Sequence, residues 1–516
     1  MRRLALAVAA VLLAGGCTSS DAVPAPDGGP PTSVPAPTGE VGVAGEQAGD
    51  PANARFYEQE LDWSGCGDGL QCSTVTVPVD WAAPSAATLE VALLRRPATD
   101  ADARIGPLLV NPGGPGGSGV DWVRGSPVVS AEVARRYDVV GFDPRGVGAS
   151  DPVDCLSDAE LDAYLSTDGP EPEAPGGLEA LQAEAAAFAA GCQADAGALL
   201  PHLGTVDAAR DLDVLRAVLG AERLDYLGKS YGTLLGAEYA GRFPQRVGRF
   251  VLDGALDPAS TYDQVTVGQA EGLEQALRAY VEDCPQRRGC PLADDVDDAL
   301  AEVRGVVEAA EQAPLETGTD RPLTAALATT GIITPLYDDA SWPVLDRALE
   351  GALDGDGQVL LQLADAYADR TEDGTYGSNL LEAFVAVNCL DYPVDADPAR
   401  LAATAQQLEE ASPTFGDSLG YGEVQCAAWP VPPTRQPAPV AAEGAPPILV
   451  VGTTGDPATP YAWSQSLADQ LASGRLLTWE GEGHTAYARG SECVDSAVDA
   501  WFLDGVLPGE GATCPG

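Results

Sequence analysis

Five short apolar runs restrict this chain more than any other feature. They are Leu108-Leu109-Val110, Val139-Val140-Gly141-Phe142, Leu224-Asp225-Tyr226-Leu227, Phe250-Val251-Leu252 and Ile448-Leu449-Val450-Val451. Short, almost wholly apolar runs of this kind suit strands buried on both faces. Helical patterns separate several of them. Ala208, Leu212, Leu215 and Leu219 share one helical face directly before the third run. Strands and helices in alternation build a mostly parallel α/β sheet. Ahead of these runs, residues 72–79 and 89–94 alternate with period two and read as further strands.

The chain has 516 residues, more than one simple core needs. Residues 258–437 change character. Helical runs such as 265–283 and 295–313 dominate, with no parallel-strand rhythm, so this stretch reads as a helical cap insertion. The Pro-rich run 429–439 returns the chain to the sheet. The core is then expected in two parts, 54–257 and 438–516. At the N-terminus, Arg2 and Arg3 precede an apolar run over 4–13 and then Ala14-Gly15-Gly16-Cys17. That pattern is a secretory leader over 1–17, too short to span a bilayer as a mature helix. Bacterial lipoprotein signals would make Cys17 the lipidated first residue, although Ala14 stands where they usually carry Leu. An ordinary cut after Gly16 is the alternative. Residues 18–53 are rich in Pro, Gly, Ala, Ser and Thr and read as a flexible tether.

Setting Cys17 aside leaves ten of the eleven cysteines, an even number that suggests five disulfides in an exported chain. Proximity suggests Cys66–Cys72, Cys155–Cys192, Cys284–Cys290, Cys389–Cys426 and Cys493–Cys514. No Cys-x-x-Cys or His-rich cluster is present, so no zinc site and no cofactor is expected. The formal charge of −50 argues against nucleic acid and anionic membrane surfaces, because phosphates repel such a surface. It favours cationic substrates such as peptides with a free amine. The remaining membrane contact would be a lipid on Cys17. Oligomeric state stays open.

The chemistry centres on Gly228-Lys229-Ser230-Tyr231-Gly232, between a strand-like run and a helix-like run over 233–242. A sharp strand-to-helix turn strains the backbone at the serine, admits only small flanking residues, and lifts the hydroxyl to a helix N-terminus. Ser230 is therefore the candidate nucleophile. Lys229, the chain's single lysine, occupies the variable position of such a turn, which usually points away from the chemistry. A serine nucleophile needs an imidazole, and the chain holds two histidines, His202 and His484. His484 follows the serine in the order Ser…Asp…His; His202 precedes it. Asp456 ends the 448–451 strand region, where a carboxylate would orient the imidazole, and Asp253 is its rival at the end of the preceding strand. Asn111-Pro112-Gly113-Gly114-Pro115-Gly116-Gly117-Ser118-Gly119 lacks the Lys and Ser/Thr of a phosphate loop. It reads instead as an oxyanion loop, with the amides of Gly114 and Tyr231 as donors.

These motifs stand together with Asp143-Pro144-Arg145-Gly146-Val147-Gly148-Ala149-Ser150 and Gly455-Asp456-Pro457-Ala458-Thr459-Pro460. In this order, from about Phe56 to the C-terminus, the chain resembles the secreted tripeptidyl aminopeptidases of actinobacteria. Those are α/β-hydrolases related to proline iminopeptidases. The resemblance implies an α/β-hydrolase fold with a helical cap, a triad of Ser230, Asp456 and His484, and release of short peptides from free N-termini. It also implies that cap carboxylates hold the substrate ammonium, with Asp391 in Asn388-Cys389-Leu390-Asp391 as a candidate. Asp143 and Arg145 read as turn-forming and structural. Several relatives are carboxylesterases, so an acyl ester acted on through the same triad is the alternative substrate.

Overall fold

The computed structural model describes residues 50–516 together with the strand Thr32–Ser33. The leader, Cys17 and most of the 18–53 tether lie outside the described residues. Ten strands form one sheet: β1 (Ser64–Gly65), β2 (Gln71–Pro78), β3 (Thr88–Arg96), β4 (Gly106–Asn111), β5 (Tyr137–Phe142), β6 (Leu224–Lys229), β7 (Val247–Asp253), β8 (Ile448–Gly455), β9 (Gly474–Glu482) and β10 (Ala512–Pro515). Their order across the sheet is β10-β9-β8-β7-β6-β4-β5-β3-β2-β1. The pairings from β5 through β10 are parallel, and β1, β2 and β3 add on antiparallel. Thr32–Ser33 pairs with Val506–Leu507 outside this sheet.

The apolar runs belong to the middle of the sheet because both of its faces are covered. Alternate residues feed two cores. Leu109, Tyr226, Phe250 and Val450 pack with the helices Thr205–Val218 and Tyr231–Arg242 on one face. Leu108, Leu227, Val251 and Val451 pack with Trp501 and Phe502 of the helix Glu492–Asp504 on the other. The strand order reverses direction at β4 and β6, and ligands of open parallel sheets bind outside the carboxyl ends at such a switch.

Between β7 and β8 the chain builds a helical layer with its own core of Leu273, Leu277, Val303, Leu345, Leu349 and Leu360. Its long helices, Tyr262–Asp283 and Val296–Gln312, match the expected runs to within a few residues. The expected boundary at 258 misses part of the layer. Helices Asp158–Ser166 and Gly177–Ala196, placed with the core by that boundary, join the cap instead. Asp162 takes a two-pronged bond from Arg370 (2.6 and 2.8 Å), and Asp168 accepts the Ala326 amide at 2.9 Å. The cap is therefore assembled from two chain segments. The five disulfides join the pairs that proximity suggested. Cys155–Cys192 and Cys389–Cys426 lie in one buried cluster with Leu203 and Leu390, where cap meets core.

Candidate active site

β6, β7 and β8 are neighbours, so their carboxyl ends bring Ser230, Asp253 and Asp456 to one edge of the sheet. Ser230 sits between β6 and the helix Tyr231–Arg242 at φ +55°, a left-handed conformation that a serine holds only when its surroundings impose it. The flanking glycines show what imposes it. A Cβ on Gly228 would stand 2.3 Å from the Gly232 carbonyl oxygen, and one on Gly232 would stand 2.8 Å from the Asn111 carbonyl oxygen. The Ser230 hydroxyl makes no hydrogen bond among the described residues; catalytic bonds of this kind commonly close only with substrate in place.

His484 follows β9 on a loop, with Gly483 at φ +97° and Thr485 at φ +64° on either side. Its Nδ1 lies 2.8 Å from Asp456 Oδ1 and 3.0 Å from Oδ2. Asp456 is buried, and the same carboxylate accepts the amides of Ala458, Thr459 and Thr485 and the Thr459 hydroxyl. Burial alone would raise its pKa. The His484 charge and hydrogen bond, with these amides, outweigh burial and hold the carboxyl below its ordinary value. An ionised Asp456 on Nδ1 keeps that nitrogen protonated and leaves Nε2 free to take a proton.

The rivals are placed elsewhere. Asp253 does not touch the imidazole; its carboxylate accepts the backbone amides of Ala486 and Tyr487. His202 Nδ1 lies 3.1 Å from Asp207, and its carbonyl accepts from buried Arg145. Arg145 in turn forks onto Asp211 at 2.7 Å through two nitrogens. Asp143 accepts the Ser118 hydroxyl and the Val120 and Ala149 amides, which shapes the loop after β4.

That loop meets the serine turn directly. A Cβ on Gly113, at φ +102°, would stand 2.6 Å from the Lys229 carbonyl oxygen and 2.8 Å from Ser230 Cβ. The Gly113 amide is occupied by the Asn111 side chain at 3.1 Å. The amides of Gly114 and Tyr231 have no such partner among the described residues.

Asp391 requires a correction. It is fully buried, with its carboxylate turned onto Thr205. Its carboxylate accepts the Thr205 amide at 2.9 Å and the Thr205 hydroxyl, and that hydroxyl meets the Tyr231 phenol at 2.5 Å. Burial pushes its pKa up to about 6, opposed by the Thr205 bonds. A raised carboxyl pKa means the folded state holds the proton more tightly. This contribution to stability is complete below the unfolded pKa and is lost as pH rises through about 6. Asparagine mimics the protonated acid. The difference in melting temperature between Asp391→Asn and wild type should therefore move in the variant's favour as pH rises from about 4 to about 8. A difference independent of pH contradicts this.

Two contributors were not foreseen. The carbonyl of Tyr337, in the cap, accepts the His484 amide at 2.8 Å, and its ring meets the imidazole edge-on at 5.5 Å. Nothing local to Tyr337 in the sequence signals this, because the contact crosses from cap to core. Thr459 sits in a motif already singled out, and its Oγ1 lies 3.0 Å from Asp456 Oδ2 and 3.4 Å from His484 Nδ1. No group of three His, Cys, Asp or Glu side chains among the described residues is arranged to hold a metal ion.

A serine on a strained strand-to-helix turn, beside an aspartate–histidine pair on neighbouring strand ends, defines a serine hydrolase of the α/β-hydrolase class. Residues 106–331 match the family model of the α/β-hydrolase fold, and residues 412–514 match that of the TAP-like protein family. The chain is 38% identical over 481 residues to Serine protease Hip1 of Mycobacterium tuberculosis, covering 88% of this chain and 91% of the relative. It is 40% identical over 504 residues to Carboxylesterase B of the same organism, covering 94% and 96%. It is 31% identical over 484 residues to Tripeptidyl aminopeptidase of Streptomyces lividans, covering 90% and 88%. The chain belongs to this TAP-like family of α/β-hydrolases.

Proposed function

We propose that the protein is an exported serine aminopeptidase that releases short peptides, tripeptides among them, from free N-termini. The observation that carries this reading is an acidic cleft among the cap helices. It has a volume of about 1160 Å³ and is lined by Glu160, Asp168, Glu171, Glu184, Glu311 and Glu409. Its wall includes Tyr367, whose ring lies 6.4 Å from that of Tyr337, which in turn meets His484. Partial burial, and then the like charges of Asp417, Asp168, Glu308 and Glu171, push the Glu311 carboxyl above its ordinary value. Such a field attracts an ammonium group and offers a neutral ester nothing comparable.

In this reading Ser230 Oγ attacks the peptide carbonyl carbon while His484 Nε2 takes its proton. The oxyanion that forms is met by the amides of Gly114 and Tyr231. His484 then gives the proton to the leaving amine nitrogen, the C–N bond breaks, and an acyl-enzyme remains. Water attacks the ester carbonyl with His484 as base, releasing the short peptide and restoring the Ser230 hydroxyl. The N-terminal leader and five disulfides support export, and Cys17 is the proposed lipid attachment point. No helix among the described residues is long and apolar enough to cross a membrane.

The second reading, a carboxylesterase, is favoured by the relative that bears that name. A tripeptide amide, its N-acetylated form and a short acyl ester separate the two. Acetylation removes the charge the cleft would hold and should lower kcat/KM by about 10²-fold. Equal cleavage of the free and acetylated peptides, with faster cleavage of the ester, supports the esterase.

A further inference from the structure

We propose that Lys229 and Asp253 form a buried staple that holds the His484 loop against the Ser230 turn, making both of them positioning residues for hydrolysis. The proposal rests on the serine-hydrolase reading above. The Lys229 side chain runs beneath the loop that follows His484. Its ammonium donates to the Tyr487 carbonyl at 2.6 Å and to Thr485 Oγ1 at 3.5 Å, and it lies 3.7 Å from the Asp253 carboxylate. Asp253 bonds to both arms of the site. Its side chain accepts the Ala486 amide at 2.9 Å and the Tyr487 amide at 3.0 Å, and its backbone carbonyl accepts the Ser230 amide at 2.9 Å. The nucleophile's backbone, the end of β7 and the loop carrying the base are thus closed into one ring of hydrogen bonds.

The loop needs such a restraint. Gly483, Thr485 and Ala488 all lie at positive φ, at +97°, +64° and +61°. Non-glycine backbone of this kind persists only where its surroundings over-determine it. Burial pushes the Lys229 ammonium down and the Asp253 carboxyl up from their ordinary values, and in each case the charge of the partner opposes the shift. Losing either charge strands the other in the interior and releases the amides or carbonyl it held. His484 follows directly, because its neighbour Thr485 donates its amide to Asp456.

The test compares the full chain with Lys229→Met, Lys229→Arg and Asp253→Asn on a tripeptide amide. Reactive sites are counted with a fluorophosphonate, so that kcat refers to folded, competent enzyme. A small displacement of the base costs rate rather than binding. Lys229→Met should lose about 10²-fold in kcat with KM changed by less than about twofold, and Lys229→Arg should recover at least about tenfold of that loss. Asp253→Asn should lose about tenfold in kcat, again without change in KM, and carries the test by the same criteria if Lys229→Met does not fold. A kcat within about twofold of wild type per competent site, a loss confined to KM, or no advantage of Arg over Met overturns the staple. Wild type that fails to react with the fluorophosphonate overturns the hydrolase reading and the staple with it.

Discussion

His484→Ala is expected to lower kcat on a tripeptide amide by about 10⁶-fold, close to the loss from Ser230→Ala, because the two side chains act as one unit. The prediction follows from the placing of the two histidines. His484 holds Asp456 on Nδ1 and makes no bond through Nε2 among the described residues, whereas His202 is held by Asp207 on its ring and by Arg145 on its carbonyl, in the turn ahead of the helix Thr205–Val218. His202→Ala should therefore stay within about twofold of wild type, since it removes a half-buried contact and no reacting group. Steady-state kinetics on the two purified variants read the difference. A large kcat loss in His202→Ala, with His484→Ala active, would reverse the assignment of the base.

Asp456→Asn is expected to lower kcat by about 10⁴-fold while leaving the fold intact. An amide at this position keeps the bonds to the Ala458 and Thr459 amides through its oxygen and loses the one to Thr485, which the other carboxylate oxygen accepts. It can also donate to Nδ1, which stabilises the tautomer that cannot accept the serine proton. The rival carboxylate makes the contrast informative. Asp253→Asn touches the imidazole only through the loop backbone and should cost about tenfold. The ratio of the two kcat values checks the assignment; a larger loss at Asp253 would place the acid on β7 instead of after β8.

The parts of this site that were legible in the sequence are those encoded locally. A strand, a Gly-x-Ser-x-Gly turn and a helix form one contiguous segment, so Ser230 could be read without knowing what lies around it. Scarcity did the same for His484, because two histidines leave one choice of order. The five disulfides followed from short separations in sequence.

What was not legible depends on contacts between distant segments. Asp253 and Asp456 end adjacent strands, and only the loop after β9 decides which of them meets the imidazole. Helices Asp158–Ser166 and Gly177–Ala196 carry no mark of belonging to the cap; the first is met by Arg370 and Gln425 and the second packs with Leu401 and Val424, all far along the chain. Asp391 resembles an exposed carboxylate near the end of a helix. It becomes a buried acceptor because Thr205 and Tyr231 pack over it. Lys229 occupies the variable position of the turn, which in sequence terms points away from the chemistry, yet the fold places its ammonium under the catalytic loop.

Peptide mapping after treatment with a fluorophosphonate tests the proposed chemistry most directly. A single adduct on Ser230, formed in wild type and absent when His484 is alanine, is the result expected of a serine activated by that histidine. An adduct on another residue, or a wild-type chain that hydrolyses the tripeptide amide without ever being labelled, would contradict it.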